Sequence, residues 1–205
     1  MVVIGAGGHA LEILDILAQD GKTTPLFFYD DFNPDNTIFR GYPVIKSIEE
    51  LKDKYPNTFP FILGIGNPIH RKLLFEKFSK LGGSLSSIVS SKSITSQNIE
   101  NQKFDVMNLC YLGPETKIGI GTLINTGAQI HHEVIIGEFC EISPRALLLG
   151  KVQIGNNCSL GGNCTILPKV KIGNNVVIGA GTVVTKDIPD NKLVVGVPGE
   201  IIKNL

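Results

Sequence analysis

Tryptophan is absent, aromatic residues make up only 7 % of the chain, and there are two methionines. A core of that composition has to be built from aliphatic side chains. Net charge is missing as well, with 19 Lys and Arg against 19 Asp and Glu. A balanced chain has no general attraction for nucleic acid or an anionic membrane, so neither is expected as a partner. Any anionic ligand must be held by local features. No apolar run approaches the ~20 residues that span a bilayer. The first residues, Met1 to Gly5, carry no basic segment, so no secretory signal is expected. The four cysteines, at 110, 140, 158 and 164, form no C-x-x-C pair. No clustered ligand set points to a metal. The expected location is the cytoplasm.

What the chain has in quantity is glycine, 23 of 205 residues, and a repeat. Stepping by six from Val106 meets Leu112, Ile118, Ile124, Ile130, Ile136, Ile142, Leu148, Ile154, Leu160, Ile166, Ile172, Ile178 and Val184. No position in that run is missed. Four residues after each aliphatic stands a small or β-branched side chain, from Thr116 and Thr122 through Ala128, Val134, Cys140 and Ala146 to Cys158, Cys164 and Thr182. Glycine often follows the aliphatic directly, as at Gly113, Gly119, Gly137, Gly155, Gly161, Gly173 and Gly179.

A period of six is neither the 3.6 of a helix nor simple alternation. It predicts a short strand and a turn, with the aliphatic and the small residue both pointing inward. Three such units close a triangular coil, and stacked coils lie one strand spacing apart, roughly 4.8 Å. The cysteines fall on the small inward position, Cys110 included, where a free thiol packs as a small hydrophobe.

The first half reads differently. Val2-Val3-Ile4 is a short apolar strand, followed by Gly5-Ala6-Gly7-Gly8-His9-Ala10 and then apolar residues at helical spacing, Leu11, Ile13, Leu14, Ile16 and Leu17. A glycine turn between strand and helix presents free N–H groups to an anion. Its spacing, G-x-G-x-x-A, is a variant of the dinucleotide fingerprint, though a tight turn without a ligand has the same look. A second strand, Leu26 to Tyr29, ends in Asp30-Asp31, and a third, Phe61 to Gly66, leads into a helix from about Ile69 to Leu81. This order predicts a small Rossmann-like parallel α/β sheet of three or four strands over residues 1–88. An all-β parallel β-helix follows over 89–205, joined through the Ser-rich stretch from Ser84 to Ser96. The first domain is too short for a complete dinucleotide domain with a hydride-acceptor site, which argues against a dehydrogenase.

The hexads are similar to those of the left-handed β-helix acyltransferases. With the Gly5-Ala6-Gly7-Gly8-His9 turn, the Tyr29-Asp30-Asp31-Phe32 segment and Ile130-His131-His132-Glu133, the whole chain resembles one branch of that family. That branch contains the sialic acid O-acetyltransferases and the N-acetyltransferases of UDP-4-amino-4,6-dideoxy sugars. The resemblance implies a left-handed coil, a homotrimer and acetyl-CoA as co-substrate. It implies His132 as general base and Glu133 as the carboxylate supporting it. It assigns Gly7, Gly8, His9, Asp30, Asp31 and Gly66 to a nucleotide-linked amino sugar. It assigns Gly150, Gly162 and Ala180 to acetyl-CoA, with the closing segment Val195 to Gly199 beside it. Nine residues after the base the family often has a second histidine near the acetyl carbonyl. Here Glu141 stands there, and an ionised carboxylate donates no hydrogen bond to an oxyanion. Asn125 is either an acceptor-sugar contact or an ordinary turn residue, and Lys186 either meets the CoA phosphates or is solvated.

The expected activity is therefore acetyl transfer to the amine of a nucleotide-linked amino (dideoxy) sugar. The alternatives are O-acetylation of a free sugar acid, and a catalytically silent β-helix that serves as a binding module.

Overall fold

The structure, a computed structural model, describes residues 1–33, 35, 37–99 and 103–205. The chain divides into two compact units: Met1–Gly66 with His70–Ile88, and Val89–Leu205 with Asn67–Ile69.

In the first unit, β1 (Val2–Ile4) lies at the centre of a sheet, buried on both faces as its unbroken apolar run demands. It pairs in parallel with β2 (Phe27–Tyr29) on one side and β5 (Phe59–Leu63) on the other. Helix α1 (Gly8–Gln19) buries Ala10, Ile13, Ile16 and Leu17, and α3 (Pro68–Lys80) buries Phe78 against Tyr29, Phe59 and Phe61.

The sheet is larger than the three or four strands expected, and it is not purely parallel. Its order is β3-β4-β2-β1-β5-β6, with β3 (Ile38–Phe39), β4 (Tyr42–Ile45) and β6 (Gly83–Leu85) added. Strand β4 joins β2 in parallel, while β3 runs antiparallel to it through a hairpin. Arg40 and Gly41 have φ of 52° and 88°. Two successive left-handed residues are what a two-residue hairpin turn requires. Pro43 within β4 hid the strand from a sequence reading, because proline normally argues against one. A short helix, α2 (Ile48–Lys54), was also missed. Its signal was present: Ser47 Oγ accepts from Glu50 N at 3.1 Å, and Glu50 Oε2 accepts from Lys46 N at 2.8 Å.

The second unit is a left-handed parallel β-helix. Each expected hexad is a two-residue strand whose second residue is the inward aliphatic, from Asp105–Val106 to Val183–Val184. All fourteen aliphatics are at most 4 % exposed. The register advances by 18 residues per coil, so Ile124 lies over Val106 and Ile142 over Ile124. Ladder bonds such as Asn125 N to Ile142 O, 2.8 Å, hold adjacent coils together.

One regularity was not visible in the repeat. The third residue after the aliphatic has positive φ at corner after corner, and glycine or asparagine often stands there, as at Gly121, Gly127, Asn157, Asn163 and Asn175. The same corner position holds Glu133 at φ 59° and Lys151 at φ 66°. After the last hexad, Lys192–Val195 extends the seven-stranded face, and Glu200–Asn204 folds back on it antiparallel. The inward cysteines are buried free thiols, and burial pushes Cys110 up to about 11 and Cys164 up to about 12.

Candidate active site

His132 and Glu133 occupy a corner of the β-helix, directly after the strand Gln129–Ile130. Inward Ile130 and Val134 are fully buried, which fixes the backbone between them. The imidazole therefore projects outward and is about half exposed. The left-handed backbone at Glu133 turns its side chain back beside the ring, and His132 Nδ1 meets Glu133 Oε2 at 2.9 Å. The other carboxylate oxygen lies 3.3 Å from Lys151 Nζ. The hydrogen bond from His132 and the one from Lys151 hold the Glu133 carboxyl below the ordinary carboxylate range. An ionised Glu133 accepts the Nδ1 proton, which leaves Nε2, beside Gly150, as the unprotonated nitrogen.

The neighbouring coil completes this corner. Lys151 N donates to His132 O at 3.0 Å, so residues 150 and 151 stack on residues 132 and 133. Lys151 was not anticipated, and only the 18-residue register places it beside Glu133.

Gly162 and Ala180 lie one coil apart on a different corner, where Gly181 N donates to Gly162 O at 2.9 Å. Ala180 is exposed there. Glu141 begins the strand Glu141–Ile142, is partly buried, and accepts from Ser159 Oγ at 3.5 Å. Asn125 is 8 % exposed and its Oδ1 accepts from Thr126 N at 2.8 Å, a turn role. Lys186 is exposed after the last hexad.

In the first unit, a cleft of about 330 Å³ opens at the carboxyl ends of β1, β2 and β5. That is where ligands bind to open parallel sheets. Asp30, Asp31, Phe32, Gly5, Ile65 and His70 are among its lining residues. Gly7, Gly8, His9 and Gly66 do not line it. Gly7 caps α1 without any side-chain hydrogen bond, and a Cβ at Gly7 or Gly8 would meet nothing within 4 Å. The helix start is thus open, and these two glycines are not demanded by crowding. Gly5 is: its φ is 111°, and a Cβ there would come within 3.0 Å of Gly64 O.

Asp31 opposes burial, which would raise its pKa, with hydrogen bonds from Lys77 and Tyr29 at 3.0 Å each, and its carboxyl is held below the usual range. Arg71, fully buried, donates to Leu63 O at 3.1 Å and Ile65 O at 2.8 Å, and so shapes the loop after β5. Among the described residues, no group of three or more His, Cys, Asp or Glu side chains converges as a metal site would require. Among the described residues, no helix is long and apolar enough to cross a membrane.

Residues 1–78 match the family described as the PglD N-terminal domain, and residues 151–186 match the bacterial transferase hexapeptide repeats. Each half of the chain is thus similar to a known family, the first to the PglD N-terminal domain and the second to the hexapeptide-repeat transferases. Among solved structures it is similar to the acetyltransferase domain of PglB from Neisseria gonorrhoeae in complex with acetyl coenzyme A. The identity there is 29 %, 98 % of each chain is covered, and the TM-score is 0.91. It is similar also to PerB from Caulobacter crescentus in complex with CoA and GDP-perosamine, at 29 % identity, 98 % and 96 % coverage and a TM-score of 0.88. WeeI from Acinetobacter baumannii, at 24 % identity, 98 % coverage of both chains and a TM-score of 0.82, shares the fold.

Proposed function

We propose that this protein transfers the acetyl group of acetyl-CoA to the amine of a nucleotide-linked amino (dideoxy) sugar. The observation that carries the reading is the outward His132–Glu133 pair at 2.9 Å, on a chain that matches the sugar-nucleotide and acetyl-CoA complexes above over nearly its whole length. In this reading the first unit holds the nucleotide, through the cleft with Asp30 and Asp31 and through the open start of α1 at Gly7, Gly8 and His9. The second unit carries the chemistry, with Gly162 and Ala180 along acetyl-CoA and Lys186 near its phosphates.

The neutral amine attacks the thioester carbonyl carbon, forming the C–N bond as the carbonyl oxygen takes up negative charge. His132 Nε2 accepts the proton that the nitrogen must lose. Collapse of the tetrahedral intermediate breaks the C–S bond, and the imidazolium returns the proton to the departing thiolate. The products are an amide and free CoA. Base catalysis of this kind contributes roughly 10²–10⁴-fold. Glu133 stabilises the imidazolium and fixes the tautomer. Glu141, as a carboxylate, is an acceptor where an oxyanion needs a donor, so stabilisation of the oxyanion falls to backbone N–H groups.

The assembly is a homotrimer and the location cytoplasmic in this reading. Exposed Ile94 and Tyr111, adjacent in register on one face, support burial against a second copy. Sedimentation equilibrium giving a monomer would remove that part.

The activity is tested with acetyl-CoA and a panel of UDP-, GDP- and dTDP-linked amino sugars beside free sialic acid, following thiol release. Turnover with a nucleotide amino sugar is expected. Turnover with sialic acid alone would replace the reading by O-acetylation, and silence with acetyl-CoA still bound would replace it by a binding module.

A further inference from the structure

The glycines of the β-helix are kept small for different reasons. A Cβ at Gly113, Gly119 or Gly155 would lie 2.6–2.9 Å from backbone atoms of the next coil. Those glycines are demanded by coil stacking itself. Gly150 differs. A Cβ there would lie 2.4 Å from His132 Nε2 and 2.5 Å from Cε1, and its three nearest neighbours are all imidazole atoms. Its φ lies outside the left-handed region, so an L-residue meets no backbone penalty there. The fold does not ask for glycine at 150, whereas the imidazole does.

We propose that Gly150 is a positioning residue for the base: it is free of a side chain so that the His132 ring can lie against it with Nδ1 on Glu133. The two coils cooperate in this. Lys151 N bonds His132 O at 3.0 Å, and Lys151 Nζ holds the second oxygen of Glu133 at 3.3 Å. The ring is thus confined by Glu133 on one edge and by the bare Cα of Gly150 below. A methyl group at 150 occupies the volume of Nε2, so the ring must swing away. Because it is half exposed, that movement costs the fold little. It does remove Nε2 from its position and break the 2.9 Å bond to Glu133. The proposal rests on the reading of His132 as the base, and it explains the missing side chain at 150 independently of any main-chain contact with acetyl-CoA.

The test is a double-mutant cycle in the full chain with Gly150→Ala, His132→Ala and the pair, measuring kcat, the KM for acetyl-CoA and the melting temperature. Gly150→Ala is expected to lower kcat about 100-fold, the loss typical of misplacing a reacting group by an ångström. The KM for acetyl-CoA and the melting temperature are expected to stay at wild-type values. In the His132→Ala background the same substitution is expected to change nothing further, because the ring it displaces is gone. The His132 ring resonances, read by NMR without turnover, are expected to shift in Gly150→Ala. Wild-type kcat in Gly150→Ala beside an impaired His132→Ala would overturn the proposal while leaving the base in place. A full additional loss in the double mutant, or a raised KM for acetyl-CoA at unchanged kcat, would overturn it too. Wild-type kcat in His132→Ala would instead remove the base assignment on which it rests.

Discussion

Gly119→Ala should damage the β-helix by a route opposite to that of Gly150→Ala. A Cβ at 119 would stand 2.6 Å from Gly137 C and 2.7 Å from Glu138 N and Gly137 O. Every one of these atoms is backbone of the next coil, so none can rotate aside. Reaching an ordinary contact of about 3.4 Å requires adjacent coils to part by several tenths of an ångström, against a hydrogen bond from Gly119 N to Ile136 O of 2.9 Å. Overpacking of this kind costs about 1–3 kcal/mol, and weakening the bond adds about 0.5–1.5 kcal/mol. A loss of about 2–4 kcal/mol in a unit of this size lowers the melting temperature by roughly 8–16 °C. Differential scanning calorimetry of the full chain would measure it, with Gly8→Ala as the comparison, since a Cβ at Gly8 meets nothing within 4 Å. A Gly119→Ala transition within about 2 °C of wild type would refute the view that close coil stacking requires this glycine.

Three further outcomes follow from the geometry. All four thiols should be silent to Ellman's reagent in the native protein and react fully in denaturant, since each is buried and burial raises Cys110 and Cys164 to about 11 and 12; rapid labelling of the native chain would contradict the inward placement. Arg71→Met should leave the Leu63 and Ile65 carbonyls without their guanidinium donor, destabilise the first unit by about 2–4 kcal/mol and raise the KM for the sugar nucleotide but not for acetyl-CoA; equal effects on both substrates would contradict the assignment of the cleft. Because Asp31 is held below its ordinary range, its contribution to the first unit is fully present above the unfolded carboxylate pKa and is lost as pH falls through the lower, folded value. Lys77→Met should move that loss to higher pH, and an unchanged acid transition by circular dichroism would show that the contact with Lys77 carries no weight.

The β-helix was legible because its signal is periodic and one-dimensional. Each inward aliphatic touches its counterparts in the coils before and after, so the sequence period is the spatial period. The outward direction of His132 followed from the burial of Ile130. The first unit was less legible because its edges are irregular. Pro43 concealed one strand, the Arg40-Gly41 turn lacks the usual Asn-Gly form, and β6 lies where serines suggested a linker. At the site, the acidic pair Asp30-Asp31 was readable from its place after β2. Its partners were not, since Lys77 is 46 residues away in sequence. The resemblance assigns Gly150 to acetyl-CoA by position alone, and the repeat pattern gives no sign of a neighbouring ring. The contact with the His132 ring becomes visible only when coils are stacked 18 residues apart.

The most direct test of the central claim is the bond made in the product. Acetyl-CoA and the preferred nucleotide amino sugar would be turned over to completion, and the product examined by NMR before and after hydroxylamine treatment. The account predicts an amide at the sugar nitrogen that survives hydroxylamine. An acetyl group on a hydroxyl, released by hydroxylamine, would contradict it.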